Sequence, residues 1–108
     1  MKKDYKVNNY GHEVLPGKFF VLPNDIFDQG LTNKELVVLA YLVRCKDLKN
    51  TCWPSRATIA EHTDTKSVRT IDNCLKVLEE KGFIRKLNRF DHDRHVRLSS
   101  LYIIKKFE

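Results

Sequence analysis

The strongest constraint on the fold is an amphipathic helix that the sequence predicts over residues 67–81. The stretch around it, residues 65–86, reads TKSVRTIDNCLKVLEEKGFIRK. Apolar side chains recur along it at helical spacing: Ile71, Cys74, Leu75 and Leu78. One face is therefore predicted to lie in the core, with Ser67 capping the first turn and Gly82 ending the helix. The opposite face carries polar and charged groups, and is either solvated surface or a surface that recognises a partner.

Composition and charge are those of one small, basic, globular domain. Of the 108 residues, 42% are apolar and 31% are charged, which is typical of a soluble domain with a modest core. Twenty Lys and Arg against fourteen Asp and Glu leave a formal net charge of +6. This excess favours anionic partners such as nucleic acid without requiring them. It is densest over residues 85–97, where five basic residues accompany two aspartates.

The sequence shows no pattern of membrane insertion or secretion. Its longest apolar run, residues 36–43, is too short to span a bilayer. The N-terminal lysines precede no apolar segment of the kind that a signal peptide needs. Three cysteines have no pairing pattern, which suits a reducing compartment. We therefore expect a cytoplasmic protein without membrane contact.

The chain divides into an arm and one domain. Residues 1–17 are polar and contain glycine and proline, which predicts a loose arm. Residues 18–108 form the predicted domain. An apolar stretch at 18–23 predicts a short strand or an extended segment, and a helical turn behind it is expected to bring Ile26 and Phe27 inward.

Two further helices are predicted before helix 67–81. The apolar run that begins at residue 36 fits a buried strand or a buried helix by periodicity. Thr32 and Glu35 decide for a helix over residues 33–46, because together they form a capping-box pattern. Ser55 is placed to cap a short helix over residues 56–63.

A hairpin follows the third helix. Strands are predicted at 83–90 and 96–104, on either side of the turn-rich residues 91–95. Residues 49–54 are predicted as a loop in which Trp53 covers the core. The fold class is therefore α+β, mainly α, with three helices and a C-terminal β-hairpin.

Two short helices joined by a polar turn, with a basic hairpin behind the second, are the elements of a winged helix-turn-helix. Three motifs carry the pattern: PSRATIAEHT (54–63), SVRTI (67–71) and LKVLEEKGFI (75–84). In these, and over about residues 18–90, the chain resembles winged helix-turn-helix domains of low-GC Gram-positive bacteria and of their plasmids and phages. It departs from the common form between Ala60 and Ile71, where the turn is one residue longer.

The resemblance implies binding of double-stranded DNA, with helix 67–81 in the major groove and the hairpin over 83–104 as a basic wing. In such a groove Arg69 suits guanine, Asn73 suits adenine and Asp72 suits the amino group of cytosine. Asp72 has a second interpretation, an ion pair with Lys76 one turn later. The predicted DNA-contacting residues are Thr65, Lys66, Ser67, Val68, Arg69, Asp72, Asn73 and Lys76 in the helix, and Arg85, Lys86, Arg89, Arg94, His95 and Arg97 in the wing.

No pattern of residues indicates catalysis, a cofactor or a metal site. His92 and His95 stand beside two aspartates, but the sequence offers no third ligand at a recognisable spacing. We expect a transcriptional regulator, or an accessory protein of plasmid or phage replication or conjugative transfer. The alternative is a winged-helix protein–protein interaction module with only non-specific DNA affinity. The sequence leaves open whether the chain acts as a monomer, as a homodimer or with a protein partner.

Overall fold

The computed structural model describes the backbone of residues 6–7, 13–14 and 18–105, and the side chains of 18–105 except at positions 90, 97 and 99. Four residues of the predicted arm are thus included. They form two short strands, β1 (Lys6–Val7) and β2 (Glu13–Val14), which pair antiparallel. The rest of the arm lies outside the described residues.

Within residues 18–105 the domain contains three α-helices, one 3₁₀ helix and an antiparallel sheet. The helices are the 3₁₀ helix Asn24–Asp28, α1 (Asn33–Cys45), α2 (Arg56–His62) and α3 (Val68–Glu80). The strands are β3 (Thr51–Cys52), β4 (Ile84–Asp91) and β5 (Val96–Ile104), in the order β3-β5-β4. The three predicted helices and the predicted hairpin are present in this order, an arrangement compatible with a winged helix-turn-helix.

Local signals set the helix ends. At α1 the capping box is present: the Glu35 N–H donates to Oγ1 of Thr32 at 3.2 Å, and the Thr32 N–H donates to Oε1 of Glu35 at 3.0 Å. Ser67 occupies the N-cap position of α3, although its side chain makes no capping hydrogen bond. Gly82 follows α3 with a φ of 83°, a left-handed conformation that glycine adopts without a steric penalty.

The core lies between the helices and one face of the sheet. The apolar stripe predicted for α3 is buried in full, and α1 contributes Val38, Leu39, Leu42 and Val43. In the sheet, Cys52 and Lys86 both pair with the central Tyr102. Cys52 and Tyr102 are buried, so this row of side chains faces the helices. Lys86 shares the face and is half-buried at its edge.

The structure differs from the predicted fold in two segments and in the exposure of two aromatic side chains. The strand alternative for residues 18–23 is wrong, because they form no strand, and the strand beside β5 on the edge that faces away from β4 is β3. Thr51–Cys52, predicted as loop, is that strand. Phe27 is 79% exposed because its neighbour Ile26 takes the core position, and adjacent residues of a 3₁₀ helix point about 120° apart. Trp53 is 53% exposed, since it follows the inward-facing Cys52 and turns to the other side.

Candidate nucleic-acid interface

The turn between α2 and α3 is held by hydrogen bonds within it. Oγ1 of Thr63, a buried group, donates to the Ile59 carbonyl at 2.7 Å and lies 3.0 Å from Oγ1 of Thr65. The Thr65 N–H donates to the Ala60 carbonyl at 2.9 Å. Asp64, between the two threonines, has a left-handed φ of 51°. The longer turn predicted from the sequence is therefore an ordered part of the fold.

Thr65 is placed differently from the other predicted contacts of this region. It is half-buried, and its hydroxyl accepts a hydrogen bond from Nζ of Lys34 in α1 at 3.2 Å. In the free protein this hydroxyl therefore stabilises the turn. Its role as a phosphate contact stays a prediction.

The outward face of α3 carries a row of polar side chains with no internal partner. Arg69, Asn73 and Lys76 are all exposed, and their spacing of four and then three residues puts them on one side of the helix. These side chains, like that of Lys66, make no hydrogen bond or ion pair with any other residue of the described chain. Ser67 and Val68 stand exposed at the start of the helix. The structure thus brings together most of the predicted helix contacts on one open surface.

Asp72, with a side chain that is 39% exposed, differs from that row because its carboxylate has a partner in α2. Its Oδ2 lies 2.6 Å from Nη1 of Arg56, the first residue of α2, and so it forms an ion pair across the two helices. The predicted pairing with Lys76 is wrong. Oδ1 of Asp72 is inaccessible to solvent and has no hydrogen-bond partner in the described part of the chain. Sequence reasoning missed Arg56, because no local pattern relates residues that stand 16 positions apart.

A cleft of about 310 Å³ opens beside this ion pair, between the start of α2 and the hairpin. It is lined by Pro54, Ser55, Arg56, Lys86, Leu98, Ser100 and Tyr102. Burial raises the pKa of Tyr102, and the negative charge of Asp72 raises it further, whereas Arg56 lowers it. The Tyr102 hydroxyl is therefore a neutral group close to the ion pair.

The hairpin turn is organised by Asp91. Its carboxylate accepts hydrogen bonds from the backbone N–H groups of Asp93 and Arg94 at 3.1 and 3.2 Å, and from Nε of Arg94 at 2.8 Å. These bonds hold the pKa of Asp91 below its usual value. Asp91 thus pairs with a cation instead of presenting a free negative charge, and Arg94 and His95 remain exposed at the tip.

The remaining predicted wing residues lie on two faces of the sheet. Lys86 points to the cleft, and Arg85 is its exposed neighbour on the other face. The guanidinium of Arg89 lies 5.9 Å from the ring centroid of Trp53, so it shares the outer face with Arg85. The side chain of Arg97 lies outside the described part of the structure.

Comparison with known proteins addresses the helical part of this surface. The model of a family described as a helix-turn-helix domain matches residues 29–84, which is more than half of the chain. The chain belongs to this family. The match ends at Ile84, the first residue of β4, so the helix-turn-helix domain proper comprises α1 to α3 and β3. Comparisons with curated proteins and with solved structures returned no significant match.

Membership of the family indicates DNA binding, because a helix-turn-helix presents its second helix to DNA. In this helix-turn-helix domain the two helices are α2 and α3. No helix in the described ranges is long and apolar enough to cross a membrane. Within the same ranges, no three His, Cys, Asp or Glu side chains are grouped so that they could hold a metal ion.

Proposed function

We propose that this helix-turn-helix domain binds double-stranded DNA with sequence preference, with α3 in the major groove and the β4–β5 hairpin as a basic wing. The observation that carries the proposal is the row formed by Arg69, Asn73 and Lys76, exposed along one side of α3 and without internal partners. Unpaired donors and acceptors on a helix that fits the groove are available to base edges.

Each side chain of the row suits a different contact. Arg69 can donate two hydrogen bonds to guanine O6 and N7, and Asn73 can exchange two with adenine. Lys66 and Lys76 are flexible point charges that suit phosphates, as does the hydroxyl of Ser67. Val68 offers methyl groups of the kind that contact the thymine methyl. Specificity is therefore assigned to Arg69 and Asn73, and contacts with the DNA backbone to Lys66, Ser67 and Lys76.

The hairpin adds further positive charge to that of α3. Arg85, Arg89, Arg94 and His95 lie along its outer face and tip. Such side chains bind phosphates or enter the minor groove beside a bound helix. We propose that the protein acts in the cytoplasm by binding and without catalysis, as a transcriptional regulator or an accessory of plasmid or phage replication or conjugative transfer.

The test begins with selection of preferred duplexes from a randomised pool, followed by fluorescence anisotropy against scrambled duplexes at one salt concentration. A preference of roughly tenfold, about 1.4 kcal/mol, establishes sequence recognition. Arg69→Ala and Asn73→Ala should each relax the preference at one base pair by about 1–3 kcal/mol. Lys76→Ala should weaken binding to all sequences alike, and Lys49→Ala, on the turn after α1, is the matched control.

A second candidate function is a protein–protein interaction module. It is favoured by exposed apolar side chains near the start of the domain, namely Phe19 (90% exposed), Val21 (76%) and Phe27 (79%). Exposed apolar surface of this kind is a candidate for contact with another protein. Weak, equal and strongly salt-dependent binding to every duplex would favour this function over sequence recognition.

A further inference from the structure

Asp72 stands next to Asn73 in α3, yet its carboxylate is directed at α2. Oδ2 lies 2.6 Å from Arg56, and Oδ1 has no access to solvent. Oδ1 therefore cannot accept a hydrogen bond from a cytosine amino group while the helices keep this arrangement. The Asp72 side chain is 39% exposed, but its other oxygen, Oδ2, is already bonded to Arg56. The geometry therefore argues against Asp72 as a base-reading residue.

The ion pair with Asp72 fixes the orientation of the Arg56 side chain. Arg56 is the first residue of α2, and its side chain is 54% exposed. A guanidinium has five N–H donors, so one bond to Asp72 leaves others for an anion. Holding the long side chain in one orientation reduces the entropy lost when those donors bind. In a helix-turn-helix the first helix crosses the DNA backbone while the second lies in the groove.

Lys86 faces Arg56 across the cleft between α2 and the hairpin. Its ammonium group has no hydrogen-bond partner among the described residues, although it is half-buried. The nearby carboxylate of Glu79 does not pair with this ammonium group. It accepts a hydrogen bond from the backbone N–H of Lys86 at 2.8 Å and so holds the start of β4. Ser100 and Ser55 line the same cleft, and the Ser55 hydroxyl also caps α2 by accepting the Thr58 N–H at 3.1 Å.

We propose that Arg56 and Lys86 form a phosphodiester-binding site between α2 and the wing, and that Asp72 is a positioning residue for Arg56. The site rests on the proposed function, because its ligand is the backbone of the duplex that α3 recognises. It adds Arg56 to the DNA-binding residues and removes Asp72 from the base contacts. It also joins the wing to the helix-turn-helix through a single phosphate.

The first experiment measures the salt dependence of duplex binding by the full chain. Arg56→Ala and Lys86→Ala should each lower the slope of log affinity against log salt, and the double variant should lower it by about 0.9, the value for one neutralised phosphate. Each should weaken matched and scrambled duplexes alike, by roughly tenfold at moderate salt. Lys49→Ala should keep the slope of the natural protein. Slopes that are unchanged in both cleft variants would overturn the site.

The second experiment separates positioning from base reading. Asp72→Ala should reproduce the uniform loss of Arg56→Ala, and the double variant should lose no more than either single one. Asp72→Asn keeps an acceptor for Arg56 and should retain most of the affinity, with circular dichroism to verify folding. If Asp72 reads a base, Asp72→Ala instead relaxes the preference at one base pair and adds to Arg56→Ala, which would contradict the proposal.

The third experiment locates the phosphate. Neutral methylphosphonate groups replace single phosphates of the selected duplex, one position at a time. The natural protein should lose affinity at the position bound by Arg56 and Lys86. Arg56→Ala should lose less affinity at that position than the natural protein does, and should match it at every other position. A variant whose profile matches the natural protein everywhere would refute the site.

Two further outcomes identify the source of a failure. If the natural protein binds no duplex, the proposed function fails and the site fails with it, whereas normal binding with unaffected variants refutes the site alone. Inorganic phosphate can also be titrated against the Arg56 Nε–H signal by nuclear magnetic resonance. Saturation by millimolar phosphate, together with an unchanged salt slope in the variants, would replace the backbone site with a site for a free anion.

Discussion

Nζ of Lys34 donates a hydrogen bond to Oγ1 of Thr65 at 3.2 Å and so ties the helix-turn-helix turn to α1, 31 residues earlier in the chain. Thr65 in turn lies 3.0 Å from the Thr63 hydroxyl, which is bonded to the last full turn of α2. The turn is thus attached to α1 and α2 before it leads into α3. We therefore expect these two threonine hydroxyls to contribute, with the buried apolar stripe, to the orientation of α3.

Thr63→Val tests this dependence. Valine has nearly the same shape but lacks the hydroxyl that donates to the Ile59 carbonyl at 2.7 Å. Loss of a buried hydrogen bond should lower the free energy of unfolding by about 1–3 kcal/mol, and DNA affinity should fall as α3 loses its fixed orientation. Urea unfolding measures the first effect. Thr70→Val is the control, because that hydroxyl has no hydrogen bond to a described residue, and an equal loss there would contradict the role of Thr63.

Trp53 provides an optical probe of the wing. It is the only tryptophan of the chain and is half exposed, with the guanidinium of Arg89 lying 5.9 Å from its ring centroid. If the wing binds DNA, Arg89 exchanges this contact for a phosphate, and the emission of Trp53 should change on addition of duplex. Arg89→Ala should alter the emission of the free protein and abolish the change on binding. Arg44→Ala, at the same distance from Tyr41, should leave Trp53 emission as it is.

The three cysteines should differ in reactivity. Burial, with contributions from the charges of Cys45 and Asp47, raises the pKa of Cys52 to about 12, and burial also raises the pKa of Cys74. Since the thiolate is the reactive form, we expect slow modification of both at pH 8 until the protein unfolds. Cys45 is half-buried and should react first with an aromatic disulfide reagent. Rapid modification of a Cys45→Ser variant would show that the core admits the reagent.

Acid should loosen the wing turn. Asp91 has a folded-state pKa below the ordinary 3.8 because Arg94 and two backbone N–H groups bond to its ionised form. Its contribution to stability is therefore fully present above pH 3.8 and is lost as the pH falls through the lower folded value. The amide signals of residues 93 and 94 should titrate together below pH 3.8. Asp91→Asn should abolish this titration, whereas Asp93→Asn should keep it, because only the backbone N–H of Asp93 takes part in these bonds.

Local patterns in the sequence were sufficient to predict most elements of the fold. The capping box at Thr32 and Glu35 is present, and α3 has its predicted apolar stripe and ends before Gly82. Both hairpin strands are where their composition placed them. These features depend on residues that are only a few positions apart, and such residues interact whatever the rest of the fold is. The short strand β3 escaped prediction, because two residues carry no periodicity.

The sequence by itself determined the helices, the hairpin and the exposed row of Arg69, Asn73 and Lys76, since the apolar stripe of α3 dictates which side chains face away. Only the tertiary structure decided which polar groups find partners. The packing of α2 on α3 brings Arg56 into an ion pair with Asp72. The packing of α1 on the turn brings Lys34 into a hydrogen bond with Thr65. Spacing along one element indicates the direction of a side chain. Its partner on another element depends on how the two elements pack, which local spacing does not encode.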